Sequence, residues 1–171
     1  EAQSLTSPLV IAARGTAGDK LKVEVKDKMG RVAKFLLTLG ATLQNYVLTL
    51  SGDNVPTGFD ITQIGTISFV AEGKAPADGG MGIGASQVWV EIKGMDYIVP
   101  VTGTGYDTNA VTTLPKTPPL TVSKGSVNSS ITYSQANANS FNFTATLPAV
   151  EDYAFAQVGW GYFVQATGAF V

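Results

Sequence analysis

The sequence contains no cysteine and no histidine among its 171 residues. Without those side chains, the chain cannot build a disulfide framework, a thiol nucleophile, a Ser-His-Asp triad or an ordinary zinc site. A glycosidase needs only two carboxylates, but nothing in the sequence indicates such a pair. We therefore predict that the protein is not an enzyme and that any metal ion would be a hard cation such as Ca²⁺, bound by oxygen.

Charge and long apolar runs are also scarce. Charged residues make up 14% of the chain and the net charge is -2, so there is no cluster of Lys and Arg to predict nucleic-acid binding. No apolar run reaches the roughly 18 residues of a transmembrane helix. We predict neither a nucleic-acid partner nor a transmembrane segment.

Short alternating segments are what the sequence does contain. In KLKVEVK, Lys20 to Lys26, apolar residues alternate with charged ones, and VAKFLLTL, Val32 to Leu39, follows a turn as the partner strand of a hairpin. Further strands are predicted over Gln44 to Gly52, Thr66 to Val70, Gln87 to Ile92, Asp96 to Gly103, Asn139 to Leu147 and the run from Phe155 to Val171. About nine short strands predict an all-β fold, an antiparallel β-sandwich of jelly-roll type.

Two segments interrupt this pattern. The Gly-rich stretch from Glu72 to Ser86 is predicted to be an irregular loop, and it does not bind a dinucleotide because a strand follows it instead of a helix. TTLPKTPPLTV, Thr112 to Val122, holds three prolines and reads as an extended connector, where strand pairing should stop. We therefore divide the chain into a main part, 1–111, a Pro-rich connector, 112–120, and completing strands, 121–171.

Three stretches, LVIAARGTAGDKLKVEVKD, LQNYVLTLSGDNVPTGFDITQIGTISFV and SQVWVEI, resemble carbohydrate-binding modules of the galactose-binding-like β-sandwich class. Their order departs from that class. The segment 121–171, which includes SITYSQANANSFNFTATLPAVEDYAFAQVGWGYF, is similar to the beginning of such a module but follows the part that is similar to its end. The resemblance therefore implies a galactose-binding-like sandwich with circularly permuted strand order.

Two arrangements satisfy this order. The segment 121–171 either completes the sandwich of its own chain or completes that of a neighbouring subunit, which would make a head-to-tail filament or surface array. The apolar run from Val158 to Val171 favours the second arrangement, because a terminus of that composition needs a partner. Our leading prediction is a non-catalytic, extracellular or cell-surface structural subunit that forms a homo-oligomer or polymer. The alternative is a soluble polysaccharide-binding module with a β-glucan-type ligand.

The candidate carbohydrate-binding residues are Trp89, Gln87, Glu91, Trp160 and Tyr162. Alternation places Trp89 opposite the apolar face of its strand, with Gln87 and Glu91 beside it, and an exposed indole can stack on a sugar ring. Trp160 and Tyr162 share a face in GWGYF and are the second candidate pair. Packing in the core or at a subunit contact would explain the same aromatic residues.

Two modification sites and one ion complete the expectations. Asn128 in NSS and Asn142 in NFT match the N-glycosylation pattern. The acidic residues do not have the spacing of an EF-hand loop, and one structural Ca²⁺ is implied by the family resemblance alone, without assigned ligands. Asp60 is predicted to cap the turn that it begins.

Overall fold

The computed structural model describes residues 8–93, 120–137, 140–159, 163–164 and 169–170. These residues form strands and one short 3-10 turn, Pro76–Asp78. The strands are β1 Leu9–Arg14, β2 Lys20–Asp27, β3 Val32–Thr38, β4 Gln44–Leu48, β5 Ile64–Glu72, β6 Gly84–Lys93, β7 Leu120–Lys124, β8 Ser130–Asn137, β9 Ser140–Leu147, β10 Tyr153–Gly159, β11 Phe163–Val164 and β12 Ala169–Phe170. No helix in the described ranges is long and apolar enough to cross a membrane.

Ten of these strands form two antiparallel sheets of five strands each. The front sheet has the order β4-β1-β6-β9-β8, and the back sheet has the order β3-β2-β5-β10-β7. Strands β11 and β12 pair with each other. The predicted all-β antiparallel sandwich is confirmed.

The core lies between the two sheets and follows the predicted alternation. On β2 the buried apolar residues are Leu21, Val23 and Val25, each fully buried, while Lys22 and Glu24 between them are partly exposed. Phe69 of the back sheet meets Phe141 of the front sheet edge to face, with ring centroids 5.2 Å apart. Such an aromatic contact adds about 0.5 to 1.5 kcal/mol beyond the burial of its area. The largest fully buried side chains are Phe69, Phe141, Phe143, Ile11, Leu21, Ile64, Ile67, Ile92 and Leu147.

Four strands that follow the Pro-rich connector belong to the two sheets of their own chain: β9 and β10 are interior strands, and β7 and β8 are edge strands. In the back sheet, β10 pairs with β5 from Tyr153 opposite Glu72 to Gly159 opposite Thr66. In the front sheet, β9 pairs with β6 over eight residue pairs, from Gly84 opposite Leu147 to Glu91 opposite Ser140. Each sheet is therefore built from both parts of the chain.

Several boundaries differ from the predicted ones. Strand β5, for example, extends two residues beyond the predicted strand at each end. Strand β4 ends at Leu48, before the predicted Gly52, and β6 begins at Gly84, inside the segment predicted to be an irregular loop. Strand pairing was predicted to stop over Thr112–Val122, but β7 begins at Leu120 and pairs with β10, so that prediction is wrong for residues 120–122. The strand predicted over 96–103 lies outside the described residues.

Candidate functional site

The outward side of the front sheet carries the candidate site, and Trp89 lies at its centre. Val88 and Val90 are fully buried on the inner side of β6, so the residues that alternate with them, Gln87 and Trp89, face outward. Trp89 is partly exposed and Gln87 is exposed. The predicted orientation of this strand is confirmed.

Strand register determines which residues surround the indole. Arg14 of β1 lies directly opposite Trp89 on one side, and Asn142 of β9 lies directly opposite it on the other. Directly opposed residues of an antiparallel pair have Cβ atoms about 4.5 to 5.5 Å apart and point to the same face. One row of the sheet therefore presents a guanidinium group, an indole ring and an amide side by side.

Together with two loops, this row forms an open cleft of about 340 Å³. The described residues that line the cleft are Arg14, Gly15, Thr16, Ala41, Gln87, Trp89 and Asn142. The loop after β1 and the loop after β3 are joined by a hydrogen bond from the Gly15 amide to the Gly40 carbonyl, at 2.9 Å. Thr16 and Ala41 belong to these loops, which make one wall of the cleft.

Gly15 allows the first loop to approach β6 closely. A Cβ atom at this position would lie 2.9 Å from the Gln87 carbonyl oxygen and 2.7 Å from Leu39 Cδ1. Both distances are shorter than a carbon atom tolerates, so a larger residue would push the loop away from the sheet. Next to Gly15 in the same loop, Thr16 Oγ1 accepts a hydrogen bond from Ser86 Oγ of β6, at 3.2 Å. Thr16 is thereby held at the edge of the cleft.

The lining is suited to binding polar ligands. A partly exposed indole offers a flat apolar surface, while the side-chain amides of Gln87 and Asn142 and the hydroxyl of Thr16 each supply donors and acceptors. Among the described lining residues, none is a carboxylate, a histidine or a cysteine. This arrangement can hold a ligand that has both apolar faces and hydroxyl groups.

The other predicted site residues are not all brought together. Glu91 lies two positions beyond Trp89 on β6, opposite Ser140, and does not line the cleft. Trp160 and Tyr162 lie outside the described residues. Asn128 lies in the exposed loop between β7 and β8, where its backbone amide donates a hydrogen bond to Ser126 Oγ at 3.2 Å.

Asn142 belongs to the cleft itself. The sequence suggested it only as a glycosylation site, whereas the structure places its side chain beside Trp89. A glycan on Asn142 would fill the space over the indole, so glycosylation there and ligand binding in the cleft would exclude each other. Asn128 lies on a different loop and carries no such conflict.

Arg14 and Thr16 are functional candidates that sequence reasoning missed. Periodicity indicates which residues of one strand share a face, but it does not indicate which residue of another strand lies opposite. The register of β1 against β6 supplies that information, because it sets Arg14 beside Trp89. The cluster could not have been assembled from the sequence alone.

The described residues contain no group of three or more Asp, Glu, His or Cys that could hold a metal ion. Three aspartates are nonetheless buried: Asp19, Asp27 and Asp152. Asp152 Oδ2 is the one buried side-chain oxygen in the described ranges without a hydrogen-bond partner. The structural Ca²⁺ implied by the resemblance stays a prediction.

Asp27 has a structural role. Its carboxylate accepts hydrogen bonds from the amides of Met29 at 3.0 Å, Arg31 at 2.9 Å and Asp60 at 3.1 Å, and from Arg31 Nε at 2.6 Å. Burial alone would raise the pKa of Asp27, but these donors and the charge of Arg31 outweigh it and lower the pKa below the ordinary value of 3.8. Asp27 thereby joins the β2–β3 hairpin to the loop before β5.

Asp60 fulfils the role expected from the sequence. Thr62 donates to Asp60 Oδ1 from its amide at 2.9 Å and from its hydroxyl at 2.6 Å. These bonds lower the pKa of the Asp60 carboxyl. The predicted capping role of Asp60 is confirmed.

No family model, curated protein or solved structure matches this chain. Any assignment of function therefore depends on the geometry of the cleft.

Proposed function

We propose that this chain is a non-catalytic β-sandwich module that binds a polysaccharide in the front-sheet cleft, outside the cell or at its surface. One observation carries the proposal: a partly exposed indole lies in an open cleft between Arg14 and Asn142, with Gln87 beside it. A sugar ring has an apolar face and a rim of hydroxyl groups. The indole matches the face, and the amides match the rim.

The composition of the lining favours binding over hydrolysis. A glycosidase requires two carboxylates on opposite sides of the scissile bond, and the described lining contains none. The row crosses three adjacent strands, β1, β6 and β9, so more than one unit of an extended polymer can contact it. We therefore propose that the ligand binds and leaves unchanged.

Strand complementation between subunits stays a prediction and is our second candidate. Head-to-tail assembly would need the β5–β10 and β6–β9 pairings to form between two chains, as in domain swapping. In the described structure, both pairings form within a single chain.

Affinity electrophoresis of the purified chain tests the proposal directly. We expect retarded migration in gels that contain at least one polysaccharide, and we expect Trp89→Ala to remove the retardation. Tyr153→Ala is the matched control, because Tyr153 is a 43% exposed aromatic residue on β10 of the back sheet. Its migration should stay that of the original protein in every gel.

Three results would contradict the proposal. The first is that the original protein migrates unretarded on every polysaccharide tested, neutral and acidic. The second is that Trp89→Ala remains retarded to the same degree. The third is that Tyr153→Ala loses retardation while its circular dichroism spectrum is unchanged, which would place the binding surface on the back sheet.

A further inference from the structure

The front-sheet cleft contains one charged side chain among its described lining residues, and that charge is positive. It belongs to Arg14. Arg14 is exposed at the end of β1 and lies directly opposite Trp89. A ligand that stacks on the indole would therefore have one edge beside the guanidinium group.

Arg14 also lacks a carboxylate partner within the described part of the chain. Three cations there have carboxylate partners: Arg31 pairs with Asp27, Lys22 with Glu72 and Glu24, and Lys74 with Glu72 at 3.9 Å. Several lysines elsewhere on the surface are unpaired like Arg14, but among the described cations Arg14 alone lines the cleft. A guanidinium group presents a planar fork of donors that matches the two oxygens of a carboxylate. The cleft therefore contains a guanidinium group that can bind a carboxylate and that pairs with no carboxylate of the described residues.

From this juxtaposition we infer that the ligand is an acidic polysaccharide. A ring stacks on Trp89, and the carboxylate of a uronic acid unit pairs with Arg14. This inference rests on the proposed polysaccharide-binding function and names the chemical class of the ligand. Gln87 and Asn142 then bind the ring hydroxyls, which acidic and neutral polysaccharides share.

The test compares each polyuronate with a form of the same polymer whose carboxylates have been reduced to neutral hydroxymethyl groups. The probes are polygalacturonate and alginate, each beside its carboxyl-reduced form, with dextran sulfate as a third anion. We expect the protein to bind at least one of the two polyuronates about 10- to 100-fold more tightly than the reduced form, because one charge-assisted bidentate contact is lost on reduction. Added salt should weaken the first interaction and leave the second nearly unchanged.

Variants of Arg14 test whether this residue causes the preference for the charged polymer. Arg14→Gln should lower the affinity for the polyuronate much more than the affinity for its reduced form, so that the two affinities become similar. Arg14→Lys should restore part of the difference, since it keeps the charge but loses the planar fork. Lys34→Gln is the control: Lys34 is exposed on β3 of the back sheet, so its loss changes the net charge equally without touching the cleft.

The outcomes separate this inference from the proposed function. Equal affinity for a polyuronate and its reduced form, or equal losses on both polymers in Arg14→Gln, would overturn the acidic ligand and leave polysaccharide binding standing. Binding to dextran sulfate alone would also overturn it, because the anion would then be a sulfate. If the protein binds none of these polymers and no neutral polysaccharide, both proposals fail.

Discussion

Asp27 shows how much of the fold depends on one side chain. It is 3% exposed and accepts hydrogen bonds from three backbone amides and one guanidinium nitrogen. Its position at the end of an alternating strand predicts a hairpin loop, but nothing in the sequence indicates that Asp60, 33 residues away, donates to the same carboxylate. A long-range hydrogen bond of this kind is set by tertiary packing, which local patterns do not contain.

Asp27→Asn should lower the free energy of unfolding by about 2 to 4 kcal/mol, measured by urea denaturation at neutral pH. The amide keeps the size of the side chain but turns one acceptor into a donor that faces other donors, and it leaves Arg31 unpaired. Asp53→Asn is the control, because Asp53 is exposed and its loss should stay within about 0.5 kcal/mol. A cost for Asp27→Asn no larger than that of the control would refute the role of Asp27.

The same carboxylate predicts a pH dependence with a definite sign. Its pKa in the folded state lies below the ordinary value of 3.8, so the folded protein holds this proton less tightly than the unfolded chain. The stabilisation is therefore complete above that ordinary value and is lost as the pH falls through the lower, folded-state pKa. The difference in unfolding free energy between the original protein and Asp27→Asn should narrow in acid. A difference that stays constant down to about pH 2 would contradict this account.

Among the strands, alternation in the sequence predicts which side chains face outward. Which of those side chains are neighbours in the candidate site depends on the register between strands. The pattern of β6 placed Trp89 outward, and that of β9 placed Phe141 and Phe143 inward, as the structure confirms. The pairing of Arg14 with Trp89 depends on how β1 aligns with β6. Such alignments join residues about 75 positions apart, and no short sequence pattern specifies them.

Gly73 lies where the end of β5 contacts the turn at 149–152, which belongs to the part of the chain after the connector. It follows β5, and its amide donates to the Asp152 carbonyl at 2.8 Å. A Cβ on Gly73 would overlap the carbonyl oxygen of Ala149, whereas a Cβ on Gly65, inside β5, would meet nothing closer than 3.8 Å. Gly73→Ala should therefore lower the unfolding free energy by about 1 to 3 kcal/mol, and Gly65→Ala should change it far less.

Thermal unfolding of the two variants gives the comparison. A clear drop in melting temperature for Gly73→Ala alone would support the close approach of the turn at 149–152 to the end of β5. Equal melting temperatures for both variants would mean that this turn does not pack against β5.

For the whole molecule, the pairing of strands from both parts of the chain within one sandwich predicts a monomer. The central strand β5 pairs with β2 on one side and β10 on the other, and β6 pairs with β1 and β9 in the same way. Light scattering coupled to size exclusion should therefore give a mass near 17.8 kDa. A distribution of large masses that persists on dilution would favour strand exchange between subunits instead.

The sequence predicts the sandwich but not the cleft on its surface. The sequence pattern predicted an all-β antiparallel sandwich, which the structure confirms. It did not predict the cleft, because the loops after β1 and β3 meet through a hydrogen bond between two glycines, Gly15 and Gly40, whose proximity is a tertiary property. The candidate ligand class depends on that cleft and on the charge of Arg14.

The central claim is that a polysaccharide binds across Trp89, and the most direct test is a heteronuclear NMR titration of isotope-labelled protein with oligosaccharides of the polymer, acidic or neutral, that retards it in affinity electrophoresis. The chain has two tryptophans, so two indole signals are expected, and substitution of Trp89 identifies its own. We predict that the Trp89 indole and the side-chain amides of Gln87 and Asn142 shift during the titration, while that of Gln157 on the back sheet stays in place. Shifts confined to the back sheet, or a Trp89 signal that does not move when other residues do, would contradict the account.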